Sequence, residues 1–354
     1  MQGVMAEVEE TIEEFGEEPP KTVLHTLRIV PVIVVLALLV HFLLPRVDTI
    51  EASLQTLRTM APWAIALAVA METLSYLSNG ELLQSVVALT GEHISFRRAA
   101  LIELAAGTVA IVAAGALGFG ASIYRWTRDS GVSQRASMLA SWLPSLFDSS
   151  TLVLFALMSA IELLLLHELS RTTLIALIVV ISVLAAIIAT VIILLARNDW
   201  LIALSIFAAR VIQRIRPSAD DVRFVEAAER AAQTWHTLRG GGWIRPALSS
   251  LLVMTFDFLS LRYAFLAAGQ HPRFTLLLAG YGVPLLLGRA SFVPGGIAVI
   301  EVAMAALYGG LGIPGSAAVI AVLVYRLISF WLPALIGIPI AIGLQSRRRR
   351  VAVA

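Results

Sequence analysis

From Leu174 to Ala196 the chain runs without a charged side chain. A helix needs about 20 apolar residues to cross a hydrocarbon core of about 30 Å, and this stretch supplies them. In lipid, backbone amides and carbonyls must be satisfied internally, so such a run folds as a helix. Comparable runs occur at 27–44, 60–78, 98–122, 138–166, 247–268, 274–290 and 316–344. Only 14% of the residues are charged and 58% are hydrophobic, against roughly 25% charged in soluble domains, which excludes an ordinary soluble fold. The expected fold is an all-α polytopic membrane protein with about 8 transmembrane helices and two broken or re-entrant helical segments.

The breaks are glycine-marked. Gly107, Gly115, Gly118 and Gly120 interrupt the stretch at 98–122, and Pro294-Gly295-Gly296 lies between the last two runs. Broken backbone at membrane depth is tolerated where protein covers it or where it lines a wet cavity. Each half carries a span, a glycine-rich break, a short apolar helix, a glycine turn (Gly131 or Gly312) and a further span, so an internal repeat is expected. Paired breaks in two halves point to a transporter binding site. Five regions result: an acidic N-terminal tail at 1–26, a first transmembrane half at 27–196, an Arg-rich amphipathic loop at 197–246, a second transmembrane half at 247–345 and a basic tail at 346–354.

Charge is unevenly placed. Glu7, Glu9, Glu10, Glu13, Glu14, Glu17 and Glu18 crowd the beginning, where a cleavable signal would need a basic start and an apolar core. Lys21 is the single lysine, so nearly every cation is a guanidinium, suited to bidentate phosphate or carboxylate contact. Within the loop, Leu201, Leu204, Phe207, Val211 and Ile215 form a stripe that Arg210 and Arg214 avoid, as in an interfacial helix or an ordinary connector. The loop and the tail Arg347–Arg350 both read as cytoplasmic. Three runs between them would put them on opposite faces unless 292–311 crosses as well.

Charges inside spans are costly and need a partner or a function. They are Glu72, Glu103, Asp148, Glu162, Asp257, Arg262, Arg289, Glu301 and Arg326, with Asp148, Glu162 and Arg289 expected near span ends. Pro294, Gly295 and Gly296 should stop one helix and let another begin near Ile297 with unpaired amides, an anion-binding arrangement. Glu301 falls in the first turns of that helix, within reach of Arg326 or Arg289, and the break can equally be a packing turn beside an ion pair. The expected substrate-binding residues are Pro294, Gly295, Gly296, Glu301, Arg326, Arg289, Asp257 and Arg262. Tyr325, Phe330 and Trp331 read as interface anchors or lipid-facing bulk.

Other chemistries lack their residues. No cysteine is present, so thiolate metal sites and thiol catalysis are excluded. His25, His41, His93, His167, His236 and His271 are scattered rather than spaced as ligands. Neither a phosphate loop with Lys-Ser/Thr nor a Gly-x-Ser-x-Gly elbow occurs. No catalytic residues, cofactor, metal or nucleic-acid partner are expected.

From Phe292 to Gly337 the sequence resembles the flippase-like family built on the transmembrane region of lysylphosphatidylglycerol synthase. The matching residues are Pro294, Gly295, Gly296, Glu301, Gly312, Pro314, Tyr325 and Arg326. The resemblance implies a multi-pass inner-membrane protein that moves lipids or lipid-linked head groups between leaflets. Two departures accompany it: Ala113 to Gly118 lacks the proline of the family's first break, and no soluble aminoacyl-transferase domain follows Ala354. The expected function is translocation of an anionic lipid, with membrane lipids or a polyprenyl-linked substrate as partners. The alternative is a non-transporting scaffold that docks a glycosyltransferase or lipid synthase through 197–245; an enzyme partner and a homo-oligomer both remain open.

Overall fold

The computed structural model describes residues 59–112, 116–165, 242–290 and 294–353, together with isolated positions between 175 and 189. The acidic tail, the runs at 27–44 and 172–196 and nearly all of the Arg-rich loop lie outside the described residues. Ser53–Ala354 forms one compact unit. Its described residues are helical apart from turns and short connections. They form α1 (Pro62–Ala88), α2 (Phe96–Val112), α3 (Ala116–Arg128), α4 (Gln134–Leu165) and α5 (Ile244–Ala267). After these come α6 (Phe274–Ala279), α7 (Gly282–Ala290), α8 (Val299–Gly310), α9 (Gly315–Arg326) and α10 (Leu332–Val353). A π turn, Leu327–Trp331, joins α9 to α10. The Arg347–Arg350 tail continues the last helix rather than leaving it.

Helix α1 extends ten residues beyond the apolar run 60–78 that announces it. Its later turns are rich in hydroxyl and amide side chains, which hydropathy reads as an ending. The helix absorbs them: Ser78 donates to the Leu74 carbonyl at 2.8 Å and Ser85 to that of Leu82 at 2.8 Å. Proline in the first turn starts α1, where the missing amide costs nothing.

Helices α1 and α5 are antiparallel neighbours along their whole length. The Ala61 amide donates to the Ala267 carbonyl at 3.0 Å, Ser75 Oγ to the Val253 carbonyl at 3.1 Å, and Arg245 pairs with Glu81 at 2.6 Å. Among the described residues, three stretches are long and apolar enough to cross a bilayer: Gln134–Leu163, Ile244–Ala267 and Gly315–Ser346. Lying end to end against α5, α1 covers the same depth. Exposed leucines and isoleucines recur at helical spacing, as Leu248, Leu251 and Leu252 on α5 and Leu154, Leu157 and Ile161 on α4. An apolar stripe left uncovered on several helices is the surface that faces lipid.

The runs at 98–122 and 274–290 are not crossings. The first is the body of a re-entrant hairpin, α2–α3, whose two ends meet: Arg98 Nε donates to Ser130 Oγ at 3.0 Å, and the Ser133 amide donates to Glu92 Oε2 at 2.7 Å. In the second hairpin, α6–α7 goes in and α8 comes out, and Tyr308 OH donates to the Leu277 carbonyl at 2.7 Å where the arms return. At 1.5 Å per residue these arms reach about 18–25 Å, enough for mid-depth but not for a hairpin that exits opposite. Leu344 belongs to the same buried apolar cluster as Leu83, Val87 and Ile94, and α10 runs along α2 from the Gly337–Thr108 approach, so the end of α10 lies at the Arg245 end of the bundle. Two crossings, α5 and α9–α10, therefore separate Gly242 from the basic tail, and both are on one side. Counting 274–290 as a span created the opposite expectation.

The halves share one backbone plan. Glycines with positive φ follow α1 and α3 (Gly91, 78°; Gly131, 86°) and follow α5 and α8 (Gly269, 71°; Gly312, 89°). Packing is reciprocal: α2 lies on α10, while α6 and α7 lie on α4. Gly91 and Gly269 are 178 positions apart, as are Ser75 and Val253, which bond each other across the α1–α5 contact. Ser75 thus meets its own counterpart, and since α1 and α5 run in opposite directions the repeat is inverted. The first hairpin enters from the Arg245 side and the second from the other, bringing the Pro294–Gly296 tip against α2.

Candidate functional site

The tip of the second hairpin is held in a shape few sequences allow. Pro294–Gly296 makes one 3-10 turn in which Gly295 has φ 66° and Gly296 φ 61°. A side chain at Gly296 would crowd the Gly288 backbone at 2.9 Å. Helix α8 begins at Val299, two residues later than the sequence suggests, because Ala298 also takes a left-handed conformation at φ 68°. A non-glycine residue held there stores strain of roughly 1–3 kcal/mol, which the surrounding structure must support.

Glu301 and Arg326 meet behind this turn. Arg326 Nε donates to Glu301 Oε1 at 2.7 Å, and Arg326 Nη2 donates to the Gly295 carbonyl at 2.9 Å. Glu301 is 2% exposed and Arg326 6%, so both charges have left water. Glu301 Oε2 has no hydrogen-bond partner among the described residues. Arginine carries five N–H groups, of which this arrangement engages two. A buried acceptor without a donor, beside a guanidinium with donors to spare, is a pair that a third group can join.

A second constellation adjoins it. Asp257 Oδ2 accepts from Tyr281 OH at 2.5 Å and from Tyr325 OH at 2.7 Å. Tyr325 precedes Arg326 on α9, so the aspartate fixes the turn that carries the guanidinium. Tyr281 and Tyr325 are buried, which removes Tyr325 from the expected lipid-facing residues. Phe330 leaves them too: the Arg326 Cζ lies 4.6 Å from its ring centroid. Across the α1–α5 contact, the Ser75–Val253 bond sets the register, so buried Glu72 on the preceding turn of α1 stands beside Asp257 on the following turn of α5. Tyr76, one turn along α1, donates to the Ser329 carbonyl at 3.1 Å.

Arg289 does not join this group. Its Nη1 donates to Ser149 Oγ at 3.2 Å on α4 and its charge acts on Asp148, which accepts from Ser250 Oγ at 3.1 Å. Asp148 sits in the middle of α4 rather than near a span end, because the helix begins at Gln134. Arg262, five residues beyond Asp257 on α5, makes no hydrogen bond or ion pair among the described residues. Of the eight expected site residues, Pro294, Gly295, Gly296, Glu301, Arg326 and Asp257 converge, whereas Arg289 and Arg262 stand apart. Sequence reasoning missed the roles of Tyr281 and Tyr325, which bond Asp257 from 24 and 68 residues away.

The family model described as the lysylphosphatidylglycerol synthase transmembrane region matches residues 28–337, which contain both hairpins and the whole constellation. The chain belongs to that family. It is similar to a UPF0104 membrane protein of Pyrococcus horikoshii, 34% identical over 95 residues, covering 25% of this chain and 28% of that one. A UPF0104 membrane protein of Methanothermobacter thermautotrophicus is 36% identical over 88 residues, covering 25% of this chain and 26% of that one. The matched stretch thus spans about a quarter of each relative. Within the lysylphosphatidylglycerol synthase transmembrane-region family, the Pro-Gly-Gly turn, Glu301 and Tyr325-Arg326 form one contiguous three-dimensional unit here.

Proposed function

We propose that this protein moves an anionic lipid, or a lipid-linked head group, between leaflets, with the Glu301–Arg326 pair as the phosphate-binding element. The observation that carries the reading is the buried pair at a re-entrant tip, with Glu301 Oε2 unpartnered and guanidinium donors uncommitted. A phosphate competes with Glu301 for Arg326 through charge-assisted hydrogen bonds, and the start of α8 adds backbone donors. Phospholipids and polyprenyl-linked substrates share this phosphate. No covalent step is involved.

Orientation follows from arginine placement. Arg97, Arg98, Arg125, Arg128 and Arg135 flank the first hairpin on the same side as Arg245 and the basic tail; the opposite side shows Arg273 among the described residues. The positive-inside rule then makes the tail side cytoplasmic, in an inner (plasma) membrane.

The test is exchange of fluorescent phosphatidylglycerol between leaflets of proteoliposomes holding the purified chain. Wild type should exchange the lipid; Arg326→Ala and Glu301→Gln should not, at equal reconstitution. Absence of exchange in wild type with every anionic lipid tried, together with co-purification of a lipid-modifying enzyme, would replace this reading with the docking scaffold.

A further inference from the structure

The carboxyl groups around Arg326 outnumber its charge. Glu72, Asp257 and Glu301 come from α1, α5 and α8, and among the described residues one guanidinium, from α9, meets them. The other titratable side chains turned toward the group are Tyr76 on α1, Tyr281 at the start of α7, Tyr325 on α9 and Glu103 on α2. With every carboxyl ionised, the cluster would hold two uncompensated negative charges at mid-depth in the membrane. Buried charge without a partner is not sustained; the group takes a proton instead.

Geometry says where that proton goes. Glu301 is ion-paired to Arg326, and Asp257 Oδ2 already accepts two tyrosine hydroxyls. Glu72 is 5% exposed and its Oε2 has no partner among the described residues, and because Ser75 bonds Val253 across antiparallel helices, Glu72 on the preceding turn of α1 stands beside Asp257 on the following turn of α5. Two ionised carboxylates have no hydrogen to offer each other, so neighbouring carboxyls bond only when one of them is protonated. We propose that Glu72 and Asp257 hold one exchangeable proton between them across the α1–α5 contact, and that binding and release of this proton drive the lipid step. The second clause rests on the translocase reading above; the first does not.

The proton arrives at Glu72 from one aqueous side and departs to the other, and the site gains or loses one positive charge each time. Loss of the proton leaves an anion that competes with lipid phosphate for Arg326. Its return frees the guanidinium, so proton and lipid charge are exchanged at one cation.

Two measurements on the full chain separate the clauses. Infrared spectroscopy of the purified protein, in light and heavy water at neutral pH, should show a protonated-carboxyl band that Glu72→Gln removes and Asp257→Asn removes or shifts. Glu103→Gln serves as the control for a different buried acid. A band untouched by Glu72→Gln in a monodisperse, folded variant would overturn the shared proton. In proteoliposomes with a two-unit pH gradient, wild type should build an unequal leaflet distribution of fluorescent phosphatidylglycerol, up to about a hundredfold for one proton per lipid, since each pH unit is a tenfold ratio. Glu72→Gln should exchange lipid but relax to equal leaflets. A gradient response retained in Glu72→Gln would refute the coupling, whereas lack of exchange in every protein would count against the translocase reading and leave the infrared result standing.

Discussion

The Arg326 guanidinium lies 4.6 Å from the centroid of the Phe330 ring, four residues along the same helical segment. The ring occupies one face of the cation while Glu301 and the Gly295 carbonyl take its edge. A cation on an aromatic face in a desolvated site gains about 2 kcal/mol. Phe330→Leu should therefore weaken exchange of an anionic lipid by roughly tenfold, the equivalent of about 1.4 kcal/mol, and Phe330→Tyr should keep it. Equal exchange in wild type and Phe330→Leu would show that the ring only fills space.

Breaking the buried pair should be worse than removing it. Glu301→Gln and Arg326→Met each leave a polar or charged partner stranded, at about 3–5 kcal/mol for a lone buried charge. The double variant strands no charge, so its thermal unfolding temperature in detergent should exceed that of Glu301→Gln. Additive losses would mean the two side chains do not act as a unit.

Helix α10 is seated on α2 through a missing side chain. A Cβ at Gly337 would overlap Thr108 Oγ1 and come within 2.7 Å of the Leu104 carbonyl. Thr108 Oγ1 also donates to the Ala334 carbonyl at 3.2 Å. Gly337→Ala should cost about 1–3 kcal/mol through overpacking, measured as a fall in unfolding temperature. Adding Thr108→Ala should recover only part of it, because the Leu104 backbone cannot retreat.

Acid should loosen the mouth of the first hairpin. In the connection outside the membrane, the Ser133 hydroxyl and amide both donate to Glu92 and hold its carboxyl below the usual value of 4.5. A depressed carboxyl contributes stability above its unfolded value and loses it as pH falls through the folded one. Hydrogen exchange at the Ser133 amide, corrected for its intrinsic rate, should accelerate below about pH 4.5 in wild type and be fast at neutral pH in Glu92→Gln. Identical protection in both proteins would contradict this.

Topology can be read by labelling, since the chain contains no cysteine. Arg135→Cys and Arg245→Cys should react with an impermeant maleimide from the side where the tail is, and His271→Cys from the other. Reaction of Arg135→Cys and His271→Cys from one side would mean that the first hairpin is not re-entrant.

Much of this arrangement is legible in the residues, for local reasons. A Pro-Gly-Gly turn breaks helices wherever it occurs, and a charge such as Glu301 or Arg326 in an apolar run advertises its need for a partner. The all-helical class follows likewise from the apolar runs. What local reading misses is length used differently. The hairpin arm Phe274–Ala290 is nearly as apolar as a span, and only the return contact of Tyr308 with Leu277 shows that it turns back. Asp257 is equally opaque: its tyrosines come from two other elements and share no spacing with it. Arg289 looked like a neighbour of Glu301 because the sequence between them is short, but the turn sends them to different helices.

The meeting of Ser75 with Val253 has a further consequence for how such a chain diverges. Two halves that follow one path but lie upside down cannot keep the same loop residues, because biogenesis reads arginines and orients each half by them. The connections of the first half retain arginines, while their counterparts in the second must shed them to stay on the opposite face. Glycine turns escape this pressure, being uncharged, and persist at matching places. A frame used twice in opposed orientations thus keeps its glycine turns while its charged connections differ.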